Sequence, residues 1–335
     1  MPLSSRATPE GTERYSQRFA SRVANDQFRR QHGLVLSSIG IGTYLGNADE
    51  ATDRAYADAV VRAAQLGCNV IDSAANYRFQ RSERSIGAAL KTLTSEHGFA
   101  REELVICTKG GYLPFDGAPP RNVREYVNDT FVKPGIASFA DIVGGSHCMT
   151  PAYLQSQLDQ SLRNMDLEYV DVYYVHNPES QLGYVDDDEF YSRLRLAFER
   201  LEQNRSQGKL AHYGVATWNG FRVPAESGQH HSLARMVEIA REIGGDDHGF
   251  RFIQLPFNLA MSEAMTVANE TLNGERMTVV EAAKRLGVTV VASASLLQGR
   301  IDPRAAIQFV NSATGITTAL IGMSRVEHVE KNLSS

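Results

Sequence analysis

A single-domain (β/α)8 barrel of the TIM type, with a long loop after its third strand, is the fold this sequence predicts. Three observations point to it. Eight short β-forming runs alternate along the chain with amphipathic helical patterns, which argues for a parallel sheet wrapped by helices. Polar side chains break five of these runs at their ends, at Asp72, Lys109, His176, Thr217 and Ser293. In a closed barrel such ends share one face, and that face carries the active site. No Gly-x-Gly-x-x-Gly follows any run, so the usual dinucleotide turn of an open doubly wound sheet is missing.

The elements follow in order. Residues 1–32 are polar, rich in Ser, Arg and Gln, with a weakly helical segment over 12–23. They read as an N-terminal arm, and 33–335 as the barrel. Residues 34–42 form the first strand, running into Gly42, Thr43 and Tyr44. An Ala/Val-rich helix over 50–66 is closed by Gly67. The second strand, 69–72, stops at Asp72, and a polar turn carries Asn76 and Tyr77. Ile86, Leu90 and Leu93 then keep helical spacing over 82–97 before Gly98. The third strand, 104–108, ends on Lys109. Residues 110–149 hold six glycines and four prolines, a loop of a length that is usually functional or disordered.

Thr150 and Pro151 read as the N-cap and first residue of a helix with Leu154, Leu158 and Leu162 on one face. The fourth strand, 170–175, ends on His176. Asp186, Asp187 and Asp188 open an acidic-first helix through Leu194 and Leu201 to Gly208. Strand 212–216 ends on Thr217, and the short 252–255 carries Gln254. Thr278 caps a helix to Leu286, and strand 288–292 ends on Ser293. The last strand, 317–321, runs into Gly322, Ser324 and Arg325 before a final short helix.

Composition narrows the partners. The 335-residue chain is 42% apolar and carries a net charge of −5 with acids and bases interspersed, which favours neither nucleic acid nor a membrane surface. No apolar run approaches the ~18–20 residues of a membrane span, and no apolar leader opens the chain. Cys68, Cys107 and Cys148 are odd in number and form no Cys-x-x-Cys. They read as buried reduced thiols in a cytoplasmic protein.

The strand-end residues have one clear joint use. A tyrosine with a pKa of ~10 is a poor acid at neutral pH. A neighbouring ammonium lowers that value. Lys109 is suited to this role beside Tyr77, with Asp72 holding the ammonium in place. His176 is suited to donating a hydrogen bond to a substrate oxygen. That set meets the needs of carbonyl reduction, in which a developing alkoxide takes up a proton. The competing reading is a structural Asp–Lys ion pair with a histidine capping a strand end.

From about Leu36 to Asn332 the chain resembles the aldo-keto reductases. The motifs that carry the resemblance occur in order: GIGTYLG (40–46), NVIDSAANY (69–77), ERSIGAAL (83–90), ELVICTKGG (103–111), VDVYYVHNP (170–178), GKLAHYGVATW (208–218), IQLPFN (253–258), SLLQG (295–299) and IGMSRVEHVEKN (321–332). The resemblance implies that Asp72, Tyr77, Lys109 and His176 are the family's catalytic tetrad, with Tyr77 the general acid and His176 orienting the carbonyl. It implies NADP(H) extended across the barrel top and a small carbonyl substrate. Gly42, Thr43 and Asp72 would lie by the nicotinamide ribose, Gln254 and Thr217 by the carboxamide, and Ser293 under the ring. Leu296 and Gly299 would lie along the pyrophosphate. Gly322, Ser324, Arg325, His328 and Asn332 would take the adenosine end, where Arg325 suits a 2′-phosphate.

Departures from the family pattern are also visible. Ala216–Thr217 replaces a Ser-Asn pair, and Ser293 stands where an aromatic ring usually stacks. His328 and Lys331 replace Gln and Glu, and a usual final helix is missing after Asn332. The weakened nicotinamide contacts at Ala216 and Ser293 leave a second function, a cofactor-binding regulatory or redox-sensing barrel. Tyr44 and Trp218 are candidate substrate contacts at the barrel mouth, joined by Phe115, Phe131 and Phe139 of the long loop. His230, His231 and the 246–248 Asp-Asp-His run have metal-ligand residue types, yet they flank a helix and read as solvated loop. No metal is expected.

Overall fold

The computed structural model describes residues 2–21 and 27–333. Its strands are β1 (Phe28–Gln31), β2 (Leu34–Ser37), β3 (Ile39–Gly42), β4 (Val70–Asp72), β5 (Val105–Gly110), β6 (Val170–His176), β7 (Leu210–Ala216), β8 (Phe250–Pro256), β9 (Glu270–Leu272), β10 (Glu275–Met277), β11 (Thr289–Ser293) and β12 (Ile316–Gly322). Eight of them close a parallel barrel in the order β11-β12-β3-β4-β5-β6-β7-β8. Helices follow the barrel strands, among them Glu50–Gln65, Arg81–Glu96, Pro151–Met165, Asp187–Ser206 and Leu233–Gly244.

Strand parity explains where the site lies. Val70, Cys107, Tyr174, Ala216, Phe252, Val291 and Leu320 share one apolar cluster inside the barrel. Their chain neighbours Ile71, Ile106, Tyr173, Val215, Ile253, Val290 and Ile321 belong to the larger core between barrel and helices. Successive side chains alternate faces. The residues two positions beyond the inner cluster therefore point inward too, at the C-terminal rim: Asp72, Lys109, His176, Gln254, Ser293 and Gly322. Register places them side by side, with Gly322 opposite Gly42 and Gly42 opposite Asp72. Across the barrel, His176 is opposite Ala216, which is opposite Gln254.

The other end of the barrel differs from the sequence expectation. Residues 34–42 are two strands, broken at Ser38, whose N–H donates to Gln27 O and whose carbonyl accepts from Ala319. The first half pairs back on β1 through His32 and Gly33, both with positive φ, a two-residue turn whose twist suits a hairpin. Leu34 and Leu36 cap the barrel interior, and His32 reaches Thr289 Oγ1 at 3.0 Å.

The helical segment expected over 12–23 is a helix over Pro9–Phe19, capped by Thr8 with Pro at its start; residues 22 and 23 lie outside the described residues. Tyr15 is buried, and its hydroxyl donates to Ala64 O at 2.6 Å. A second hairpin, β9–β10, and a helix over Pro303–Ser312 were also not anticipated.

The long loop is compact. Leu113, Val127, Phe131, Ala137, Ile142, Cys148 and Tyr153 form their own apolar cluster. All three cysteines are buried and free. Thr150 sits at the N-cap as expected, but its side chain makes no cap bond. Its hydroxyl lies 3.4 Å from Cys148 Sγ. No helix among the described residues is long and apolar enough to cross a membrane.

Candidate active site

A cleft of about 680 Å³ opens on the C-terminal rim. Gly42, Thr43, Tyr44, Asp72, Tyr77 and His176 line one part of it. Thr217, Trp218, Gln254 and Ser293 line the next, and Leu296, Gly299, Gly322, Ser324 and His328 extend it toward the last helix, Val326–Leu333. Lys109 lies beneath this surface, fully buried. Five other expected residues are not brought to the cleft wall. Phe115 packs beside the loop cluster and stacks on Phe79. Arg325 is exposed just before the last helix, and Asn332 is buried within that helix. Phe131 is enclosed in the loop cluster, and Phe139 is exposed with Arg124 over its ring.

Four of the expected residues converge. Lys109 Nζ pairs with Asp72 Oδ2 and donates to Ser73 O at 2.7 Å. Gln254 Nε2 donates to Asp72 Oδ1 at 2.9 Å, so both carboxylate oxygens are engaged. The Lys109 ammonium lies 4.9 Å from the centre of the Tyr77 ring. His176 meets the same ring edge-on at 5.8 Å, and Tyr44 at 4.9 Å.

Electrostatics differ from the sequence expectation at one point. Lys109 was expected to lower the Tyr77 pKa. Burial instead pushes Tyr77 above its ordinary value, and the Lys109 charge opposes this without overcoming it. Burial likewise works against the Lys109 charge, but Asp72 and Tyr77 outweigh it and raise its pKa. Burial pushes Asp72 up against Lys109 and Gln254. His176 is held well below its ordinary value by burial, then by Lys109 and His147. At neutral pH the rim presents a protonated phenol, an ammonium and a neutral imidazole.

Several neighbours escaped sequence reasoning. The chain leaves β6 through Asn177 in a left-handed conformation, φ 44°, and Asn177 Nδ2 donates to the Tyr112 hydroxyl at 3.2 Å. Tyr112 also meets the His176 ring edge-on at 5.1 Å. Glu179 is buried and accepts from the backbone N–H of Trp218 and of Asn219, the latter at 2.9 Å. It thereby holds the Trp218 loop at the mouth. The left-handed bend was the one feature that sequence hinted at, through the Asn-Pro pair at 177–178.

The solvated-loop reading of His231 and His248 is corrected, since both are buried. His231 stacks on Phe190, with ring centres 4.9 Å apart, and faces Glu179 at 3.5 Å. Among the described residues no group of histidine, cysteine and carboxylate side chains is arranged to hold a metal.

The cleft has features that suit a long polar ligand. Thr217 Oγ1 is buried with no protein partner among the described residues, leaving a hydroxyl for a ligand. A Cβ built on Gly299 or Gly322 meets no protein atom within 4 Å, so bare backbone faces the cleft there.

Residues 38–239 match the Aldo/keto reductase family. The chain is 26% identical over 188 residues to the NADH-specific methylglyoxal reductase of Escherichia coli (strain K12), covering 55% of this chain and 49% of that protein. It spans about half the length of the curated relatives it matches. Solved structures share the fold. An aldo/keto reductase from Klebsiella pneumoniae, in complex with NADP and acetate, superposes with a TM-score of 0.59 at 17% identity, over 93% of this chain and 89% of that one. The holo form of an aldo-keto reductase from Bacillus halodurans gives 0.61 at 17% identity, over 92% and 89%.

Proposed function

The chain belongs to the aldo/keto reductase family, and we propose that it reduces aldehyde or ketone groups to alcohols with NADP(H) held across the barrel mouth. The observation that carries this reading is the convergence of Tyr77, Lys109, Asp72 and His176 on one cleft. When bound, the cofactor supplies hydride to the carbonyl carbon. Tyr77 then gives its phenolic proton to the carbonyl oxygen as that oxygen takes on charge. The phenol is protonated before reaction, and the Lys109 charge, which opposes the upward push of burial, favours release of that proton. Lys109 faces the phenolate left behind, and Asp72 keeps the ammonium aimed. His176, neutral and set edge-on to the Tyr77 ring, orients the carbonyl.

Thr43, Thr217 and Ser293 would hold the nicotinamide end, with Gly42 leaving room for it. Leu296, Gly299 and Gly322 would follow the phosphates, and Ser324, Arg325, His328 and Asn332 the adenosine. A guanidinium just ahead of a helix N-terminus suits the extra phosphate of NADP(H). The Klebsiella relative's complex contains NADP, whereas the Escherichia relative is named NADH-specific. Three buried free thiols support a cytoplasmic setting.

The substrate class follows from the wall chemistry. Tyr44 packs on Tyr77 and Tyr112 on His176, Trp218 lines the same cleft, and among the described residues no Lys or Arg lines it. Lys109 beneath Tyr77 is already paired with Asp72, so an anionic substrate body at this end of the cleft would lose hydration without a free cationic partner. Uncharged carbonyl compounds with a flat apolar body are the expected substrates. NADPH oxidation with methyl 4-formylbenzoate, 4-formylbenzoate, small aldehydes and quinones tests this. The expected result is turnover of the ester at a kcat/KM at least tenfold above the carboxylate. Cofactor binding with no turnover on any compound would overturn the reductase reading.

A further inference from the structure

The carbonyl oxygen of His176 is buried at a sharp bend. His147, carried by the long loop after β5, approaches it with Nε2 at 2.7 Å. The other ring nitrogen, Nδ1, lies 2.8 Å from Gln181 Nε2, and His147 is wholly buried.

The protons in this chain of contacts can be assigned. Arg193 reaches Gln181 Oε1 from Nη1 at 2.7 Å and is itself held by Glu189. A guanidinium only donates, so the Gln181 oxygen faces Arg193 and its NH2 faces His147. Nδ1 of His147 therefore accepts, and Nε2 carries the proton and donates to His176 O. A second proton on His147 would set donor against donor at Gln181. Burial acts in the same direction, pulling the His147 pKa down to about 4.

The backbone is shaped to admit this contact. Gly111 has φ +147°, and a Cβ there would come within 2.7 Å of His147 Nε2 and 2.9 Å of the His176 carbonyl oxygen. Only a residue without a side chain lets the imidazole reach. Cys148 N donates to Gly111 O at 2.9 Å, fixing His147 against the end of β5.

We propose that His147 is a positioning residue that holds His176 in place through its main chain, as a neutral imidazole with its proton fixed on Nε2. The relay runs from Arg193 through Gln181 and His147 to the residue that orients the carbonyl, and it rests on the reading of His176 given above. It ties the long loop to the reacting end of the cleft, although no atom of His147 lines that cleft.

The test compares His147→Phe, His147→Gln and Gln181→Leu with the unaltered protein. The readouts are kcat on methyl 4-formylbenzoate, NADPH Kd by fluorescence, and the imidazole N–H signals by NMR. Misplacing a reacting group by about 1 Å costs up to ~100-fold, so His147→Phe is expected to lower kcat roughly 10–100-fold with NADPH Kd within twofold. His147→Gln, which keeps an N–H donor, is expected to recover most of the loss.

If His147→Phe does not fold, Gln181→Leu decides. It is expected to lower kcat severalfold, release the slowly exchanging His147 proton and shift the His176 ring signals. A Phe variant within twofold of the unaltered kcat overturns the proposal. So does equal loss in the Phe and Gln variants, or NADPH affinity that falls in step with kcat. If the unaltered protein reduces no carbonyl, the functional reading fails on its own. NMR then still decides, because His176 signals unmoved by Gln181→Leu contradict the relay.

Discussion

Gln254 donates to Asp72 Oδ1 at 2.9 Å, from a strand on the far side of the barrel. The carboxylate that faces Lys109 therefore has its second oxygen satisfied by an amide. Replacing Gln254 with Leu leaves that buried oxygen without a partner, which costs about 1–3 kcal/mol. Urea denaturation reads the loss. An unchanged unfolding midpoint would show that the Gln254 contact does not matter to the buried pair.

Stability is expected to fall in mild acid. His147, His176 and His212 all have pKa values below the ordinary 6.5, chiefly through burial; His147 is near 4 and His212 near 3. A depressed folded pKa means that the unfolded chain takes up the proton first. The contribution of each imidazole is complete above about 6.5 and is lost as pH falls toward the folded value, by at most ~1.4 kcal/mol per pH unit for each histidine. Unfolding free energies measured between pH 8 and 5 are expected to be level, then to drop. In His147→Gln the slope below 6.5 is expected to lose one histidine's share. An identical slope would place the His147 proton uptake elsewhere.

Arg325 is exposed ahead of Val326–Leu333, at the end of the cleft that Ser324 and His328 line. Arg325→Ala is expected to weaken NADPH binding by roughly 10–150-fold, the value of a lost charge-assisted hydrogen bond of about 1.5–3 kcal/mol. NADH, which lacks the 2′-phosphate, is expected to change little. Equal losses for the two cofactors in fluorescence titration would remove Arg325 from that role.

Ser293 points inward at the rim, opposite Pro256, and lines the cleft. A ring there would add a stacking surface worth about 0.5–1.5 kcal/mol, by analogy with aromatic pairs. Ser293→Tyr is expected to tighten NADPH and raise single-turnover reduction severalfold. Trp218 shares the cleft, and a fall in both affinity and rate would mean that its ring already occupies the space.

Much of this arrangement was legible in the chain because the apolar runs stop at polar residues where barrel strands end, as at Asp72, Lys109 and His176. What strand ends do not carry was missed. Residues 34–42 look like one strand because both halves are apolar, and only the pairing of Phe28–Gln31 with Leu34–Ser37 divides them. The ring of Phe131 faces a local core rather than substrate, since the loop is long enough to bury its own apolar residues. Nor could sequence weigh burial against the Lys109 charge at Tyr77, because both depend on depth. His231 and His147 read as loop residues, and both are buried by segments distant in sequence.

Tyr77→Phe bears on the central point, that this phenol supplies the proton for carbonyl reduction. The substitution keeps the ring that faces Lys109 and His176 and removes only the hydroxyl. With methyl 4-formylbenzoate and saturating NADPH, kcat is expected to fall by roughly 10²–10⁴-fold, the range of general acid catalysis, while NADPH Kd stays within twofold. A variant that keeps a third of the original kcat would contradict the assignment of Tyr77 as the acid.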